Sequence, residues 1–122
     1  MNNLHLCPKF EYAFTILGKR WNGLILKILM SGPKHFHEIE ATLPKISDRI
    51  LAIRFKELIA DGLIVRKVYP ETPVRIEYEL TAMGYSLVPV MDAVQIWADE
   101  WLDSSDTVTF EHKDKVRVTS FV

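Results

Sequence analysis

The hydrophobic period of this 122-residue chain changes from about 3.6 to 2 at Gly62, and that change limits what the chain can build. Over residues 47–61, Leu51, Phe55, Leu58 and Ile59 fall within one arc of about 100°, the width of a core-facing helical stripe. Ser47 is placed to cap this helix, Asp48 complements its dipole in the first turn, and Gly62 ends it. The opposite arc holds Arg49, Ile53, Lys56 and Ala60, with Arg54 at the flank of the stripe beside Asp61. Beyond Gly62, residues 64–69 and 74–80 have β character, and Val74, Ile76, Tyr78 and Leu80 alternate with Arg75, Glu77 and Glu79. Pro70-Glu71-Thr72-Pro73 supplies the turn between them. The spacing therefore predicts a capped amphipathic helix running straight into an antiparallel hairpin.

Three shorter helices are expected upstream. Pro8 suits a first helical position and Phe10, Phe14 and Leu17 repeat at helical spacing, giving a helix over 8–17. Asn22 reads as the cap of a second helix at about 23–30, with Leu24, Ile25, Ile28 and Leu29 as its apolar stripe and Ser31-Gly32-Pro33 as its stop. After an extended Lys34-His35-Phe36, a third helix over 37–43 carries Ile39 and Leu43 and is closed by Pro44. Downstream, Thr81 caps a long helix at about 82–103, kinked at Pro89. The tail, 104–122, either adds a strand or stays mobile. The expected fold is α+β and mainly α: a winged helix-turn-helix with a two-stranded β wing and a long C-terminal dimerisation helix. One domain is expected over 1–122, with its core at about 7–103.

Charge supports this layout only once it is divided along the chain. The formal net charge is −1, but residues 1–75 carry twelve Lys/Arg against seven Asp/Glu, and residues 76–122 carry three against nine. A basic front half either presents one face to phosphates or is an ordinary solvated surface. No apolar run approaches the 18 or so residues of a membrane span, and a cytoplasmic protein is expected. The single cysteine, Cys7, cannot form an intrachain disulfide and fits a reducing compartment. His5-x-Cys7 and His35-x-His37 lack the spacing of a zinc site, so no metal or cofactor is expected. With no G-x-S-x-G and no phosphate-cradling glycine loop, neither is an enzyme.

Three helices followed by a twisted hairpin is the order in which a third helix braces a fourth, the fourth enters the major groove, and the hairpin lies against the flanking backbone. Such a helix needs Arg or Lys for guanine edges and phosphates and short residues where it approaches closely. Ser47, Arg49, Ala52, Ile53, Arg54 and Lys56 offer that surface, joined by Lys34 and His37 at the start of the third helix. Arg66, Lys67 and Arg75 are the phosphate candidates of the hairpin. The alternative is an ordinary surface helix and hairpin, in a winged-helix module that binds proteins and not DNA.

From Cys7 to Trp101 the residues resemble the HxlR-type winged helix-turn-helix transcriptional regulators. The resemblance is carried by Cys7-Pro8, Gly18-Lys19-Arg20-Trp21, Leu26-Lys27-Ile28-Leu29, Gly32-Pro33 and Phe36-His37-Glu38-Ile39. It continues through Ile46-Ser47-Asp48-Arg49-Ile50-Leu51, Arg54-Phe55-Lys56-Glu57-Leu58, Asp61-Gly62-Leu63-Ile64, Tyr69-Pro70, Pro73-Val74-Arg75-Ile76-Glu77-Tyr78 and Leu80-Thr81. It implies a homodimeric regulator, a repressor by default, that binds double-stranded DNA at a palindromic promoter element near genes answering electrophiles or oxidants. It further implies dimerisation through the terminal helices, for which Phe10, Phe14, Leu87, Val90, Met91, Val94, Trp97 and Trp101 are the candidates. Ala52 and Ile53 depart from the family pattern, so Ile53 either touches a thymine methyl or simply packs.

Cys7 precedes Pro8 at a helix start, where the helix dipole favours a thiolate and Lys9 adds positive charge. Relatives that sense electrophiles use an N-terminal cysteine there, so the resemblance makes Cys7 a sensor; the residues alone equally allow an inert, packed thiol. A non-covalent small ligand lined by Tyr85, Met91 and Trp97 is the other candidate signal.

Overall fold

The computed structural model describes residues 6–43 and 45–103, which form eight elements. These are α1 (Pro8–Leu17), α2 (Asn22–Leu29), α3 (Phe36–Thr42), α4 (Asp48–Ala60), β1 (Ile64–Tyr69), β2 (Arg75–Leu80), α5 (Ala82–Tyr85) and α6 (Val88–Trp101). The fold is the expected winged helix-turn-helix, mainly helical with one two-stranded antiparallel sheet. The chain divides into two compact units, Met1–Val88 and Pro89–Val122. The tail expected to add a strand or move lies outside the described residues. Among those described, no helix is long and apolar enough to cross a membrane.

In the first unit the core is built where α2, α3, α4 and the base of the hairpin meet. Ile25, Leu26, Leu29, Ile39, Leu51, Leu58, Leu63 and Ile64 are almost completely buried, with Phe55 and Leu80 close behind. Each such side chain contributes roughly 1.5–3 kcal/mol on leaving water. α4 begins as its sequence dictates, with the Ser47 hydroxyl oxygen accepting from the Ile50 N–H at 3.1 Å. It ends in a Schellman turn: Leu63 N donates to Leu58 O, Gly62 N donates to Ile59 O, and Gly62 takes φ of +84°. Leu58 and Leu63 are both buried across that turn, so the helix stop also delivers the chain into β1.

The hairpin pairs Ile64 with Leu80 at its base and Tyr69 with Arg75 at its tip. Lys34 adds one residue to the same sheet, exchanging both backbone hydrogen bonds with Tyr78 at 2.9 and 2.8 Å. α3 is thereby held against the wing. His35 N-caps it, with the Glu38 carboxylate accepting from the His35 N–H at 2.7 Å and the His35 ring Nδ1 lying 3.0 Å from Ile76 O.

Several local expectations change once packing is seen. Asn22 is the first residue of α2 and not its cap; it is buried, and its Nδ2 donates to Ile16 O at 2.8 Å. The cap is Trp21, at φ of +82°, a left-handed conformation that costs on the order of 1–3 kcal/mol in a non-glycine residue. Burial of its indole and the Arg20 guanidinium 4.6 Å from the ring centroid offset that strain. This turn rotates α2 so that Ile25, Leu26 and Leu29 face inward, leaving the expected Leu24 exposed. Ile59 is likewise exposed, because the neighbours of α4 cover only the arc of Leu51, Phe55 and Leu58. α3 runs one residue earlier than expected, and β2 begins at Arg75 and not Val74.

The long terminal helix is two helices. Thr81 caps α5 by accepting from Gly84 N, but Ser86 N and Leu87 N close that turn on Ala82 O and Gly84 O. Pro89 then sits in the first turn of α6, where a missing N–H costs nothing, so it opens a helix instead of kinking one. α6 buries no residue within its own unit and exposes Val90, Val94, Trp97 and Trp101 at spacings of a single helical seam.

α1 also buries no residue. Polar links tie it to α4: Tyr12 Oη donates to Asp61 Oδ1 at 2.7 Å, and Lys19 Nζ donates to Glu57 Oε1 at 3.1 Å. The Lys19 hydrogen bond, and then the positive charges of Lys19 and Arg54, hold the Glu57 carboxyl below its ordinary range against a partial desolvation effect. A depressed carboxylate stabilises the fold above its unfolded pKa and loses that effect as pH falls through the folded one. Thermal melts of Glu57→Gln are therefore expected to depend less steeply on pH than wild type below about pH 4.3; an unchanged acid limb would mean that this seam does not stabilise the fold. Gly84 tests the packing. A Cβ there would fall inside contact distance of Leu63 O and 3.0 Å from Leu80 Cδ2, so Gly84→Ala is expected to cost about 1–3 kcal/mol in urea denaturation.

Candidate nucleic-acid interface and thiol

The buried arc of α4 decides which of its residues can meet a ligand. With Leu51, Phe55 and Leu58 inward, Arg49, Ala52, Ile53 and Lys56 follow one another at i, i+3, i+4 and i+7 on the far side. Arg49, Ala52 and Lys56 are exposed and Ile53 is half-buried. Neither Arg49 nor Lys56 has an ion-pair partner among the described residues. The stripe is stiff because Phe55, behind it, packs on Phe36 of α3 and Tyr78 of β2 with ring centroids 5.6 and 4.5 Å apart. Ser47 stands at the helix start with its oxygen engaged by Ile50 N, which leaves the hydroxyl proton as its free donor. Residues 45–60 hold four Lys/Arg against two Asp/Glu, a local balance of +2.

Arg54 is placed differently. Its Nη1 donates to Glu57 Oε1 at 3.2 Å and its Nε to Arg20 O at 3.2 Å, so it fastens α4 to the α1–α2 connection and leaves the outer stripe. Lys34 is committed through its backbone to Tyr78. His37 is exposed in the first turn of α3, its ring parallel to that of His35 at a centroid distance of 5.6 Å.

Register sorts the wing cations onto two faces. Ile64, Arg66 and Val68 share a face with Ile76, Tyr78 and Leu80, the side that packs on the helices; Val65, Lys67 and Tyr69 share the other with Arg75, Glu77 and Glu79. Arg66 is exposed and has no ion-pair partner among the described residues. Lys67 lies 2.6 Å from Glu79, whose hydrogen bond and charge raise its pKa. Arg75 donates to Glu71 at 3.0 Å and to Glu77 at 2.8 Å, and stacks 3.9 Å over the Tyr69 ring. Those hydrogen bonds, Glu71 first, hold the guanidinium firmly in its charged form. Of the three expected phosphate contacts in the wing, two are thus already satisfied by carboxylates.

Cys7 is exposed at the N-cap of α1, where its carbonyl accepts from Glu11 N at 3.0 Å. Close by, α1 and α5 enclose an apolar groove of about 250 Å³ lined by Lys9, Tyr12, Ile16, Leu63, Met83 and Leu87, among others. Sequence spacing pointed instead to Tyr85, Met91 and Trp97, none of which lines it. No local pattern reveals this groove, because it depends on how α1 rests on residues more than 45 positions away. Among the described residues no group of three or more His, Cys, Asp or Glu is arranged to hold a metal.

Comparison with known proteins agrees with this geometry. The HxlR-like helix-turn-helix family profile matches residues 16–106. The HTH-type transcriptional regulator YodB of Bacillus subtilis is 51% identical over 108 residues, spanning 88% of this chain and 96% of that protein. The reduced form of YodB superimposes with a TM-score of 0.74 at 50% identity over 82% of this chain and 98% of that one. Its quinone-bound form does so at 0.69 and 47% identity over 78% and 99%. The chain belongs to the HxlR-like helix-turn-helix family and is a transcriptional regulator of that type.

Proposed function

We propose that this regulator is a cytoplasmic, homodimeric repressor that reads a palindromic promoter site through α4 and senses electrophiles or oxidants through Cys7, the whole chain serving as one functional domain. The observation that carries the reading is the outer stripe of α4, Arg49, Ala52, Ile53 and Lys56, backed by the Phe36–Phe55–Tyr78 cluster, its two cations without ion-pair partners among the described residues. A helix of this kind fits one major groove, with Arg49 and Lys56 available to guanine edges or phosphates and the small Ala52 permitting close approach. Ile53 offers a methyl-sized apolar contact. Ser47 stands at the start of the stripe, Lys34 and the exposed His37 lie at the start of α3, and Arg66 is on the helix side of the wing.

A dimer is supported by the apolar surface that one copy leaves in water. Phe10 and Phe14, packed edge to face with centroids 5.0 Å apart, are each nearly 60% exposed, and Val90, Val94, Trp97 and Trp101 line α6, where Met91 is half-buried. Leu87 is half-buried after α5. Two such copies present two α4 helices to half-sites about one DNA turn apart, which is why a palindrome is the matching target. Removing one phosphate-binding cation flattens the dependence of log K on log salt by about 0.9. Arg49→Ala, Lys56→Ala and Arg66→Ala are each expected to weaken promoter binding and flatten the slope by about that amount in anisotropy titrations; parallel, unshifted titrations would remove that residue from the interface.

The exposed thiol of Cys7, and a relative, YodB, crystallised both quinone-bound and diamide-treated, support a covalent signal. Diamide or a quinone is expected to add mass at Cys7 and change affinity for the promoter, with no change in Cys7→Ser. If binding responds to an inducer in Cys7→Ser as it does in wild type, a non-covalent ligand in the α1–α5 groove becomes the better reading, since Cys7 does not line that groove. Failure to bind even random duplex at low salt would leave a protein-interaction module.

A further inference from the structure

The wing is electrically neutral and the recognition helix is not. Residues 64–80 hold Arg66, Lys67 and Arg75 against Glu71, Glu77 and Glu79, whereas residues 45–60 carry a balance of +2. The pairing is specific as well as numerical. On the face turned away from the helices, Lys67 is bound to Glu79 and Arg75 is bound on two sides by Glu71 and Glu77, with Tyr69 beneath it. Among the wing cations, Arg66 alone sits on the helix side, and it has no carboxylate partner among the described residues.

A phosphate approaching the outer face of the wing has to displace a carboxylate from Lys67 or Arg75 and is repelled by that carboxylate once displaced. Phosphate contacts supply nearly all the affinity for DNA of arbitrary sequence and carry no sequence information. Base contacts come from α4. We propose that Glu71, Glu77 and Glu79 are affinity-limiting residues of the wing: by holding Lys67 and Arg75 they keep the hairpin from acting as a phosphate clamp, so that indiscriminate binding stays weak. This inference rests on the DNA-binding reading above and adds to it a role for three acidic residues that do not themselves touch DNA.

Glu79 gives the cleanest test because its one ion pair among the described residues is to Lys67, its own side chain being half-buried, and the amide of Glu79→Gln keeps the side-chain shape. The full-length protein, Glu79→Gln and the double variant Lys67→Met/Glu79→Gln are titrated into a labelled duplex of random sequence at several salt concentrations. Glu79→Gln is expected to bind roughly three- to tenfold tighter at low salt, with a slope steeper by about 0.9, as one cation becomes available to a phosphate. Removing that cation in the double variant is expected to return both values close to wild type. The proposal is overturned if Glu79→Gln matches wild type in affinity and slope, or if the gain survives in the double variant, which would make it general repulsion and not release of Lys67. Wild type that does not bind the random duplex at all would instead overturn the DNA-binding reading, and this inference with it.

Discussion

Phe55 is the side chain on which the arrangement of this protein depends. It lies on the inner face of α4 between Phe36 at the start of α3 and Tyr78 in the middle of β2, so a single ring fixes α4 to both α3 and the wing. Tilted and edge-on aromatic pairs of this kind add about 0.5–1.5 kcal/mol each beyond the area they bury. Their geometric effect matters as much. The interlocked rings also set the rotation of α4 against both of its neighbours. The backbone pairing of Lys34 with Tyr78 and the His35 contact to Ile76 act on the same junction, making the start of α3 a further support for the wing.

Around this junction the molecule separates tasks by the kind of force used. The core of α2, α4 and the hairpin base is largely apolar, whereas α1 and the turn after it are fastened at the surface by Tyr12–Asp61 and Lys19–Glu57, with Asn22–Ile16 as a more buried link. α1 also carries the exposed thiol at its N-terminus and the exposed Phe10–Phe14 pair. A helix held by exposed hydrogen bonds is easier to displace than one held by buried leucines, because each such bond nets only about 1 kcal/mol against water. The element that carries the thiol is thus tied at its surface to the C-terminal end of α4.

Much of the fold was legible because its determinants are local. The limits of α1 and β1 agree with the sequence reading to the residue, and the Ser47 cap and Gly62 stop lie where hydrogen-bonding chemistry and the left-handed turn require them. Errors arose where a residue has two local uses. Asn22 and Trp21 exchanged roles because the left-handed turn at Trp21 is sustained by burial, which no propensity encodes. Pro89 was equally compatible with a kink and a start; the choice was made by the hydrogen bonds that close α5 on Ala82 and Gly84. The α4 stripe was legible for the same reason as its helix, since helical spacing alone puts Arg49, Ile53 and Lys56 opposite Leu51 and Leu58.

The sequence by itself determined the order of elements, the inward and outward faces of α4, the membership of the family and the placing of one thiol before a helix. Each of these is set by residues within a few positions of one another. Only the tertiary structure decided which cations remain available. Arg54 was taken by Glu57 and Arg20, Lys67 by Glu79, and Arg75 by Glu71, Glu77 and Tyr69, leaving Arg49, Lys56 and Arg66 without such partners among the described residues. Charge counts cannot make that distinction, because a charge acts over a few ångströms and the partners that neutralise it are chosen by strand register and helix rotation.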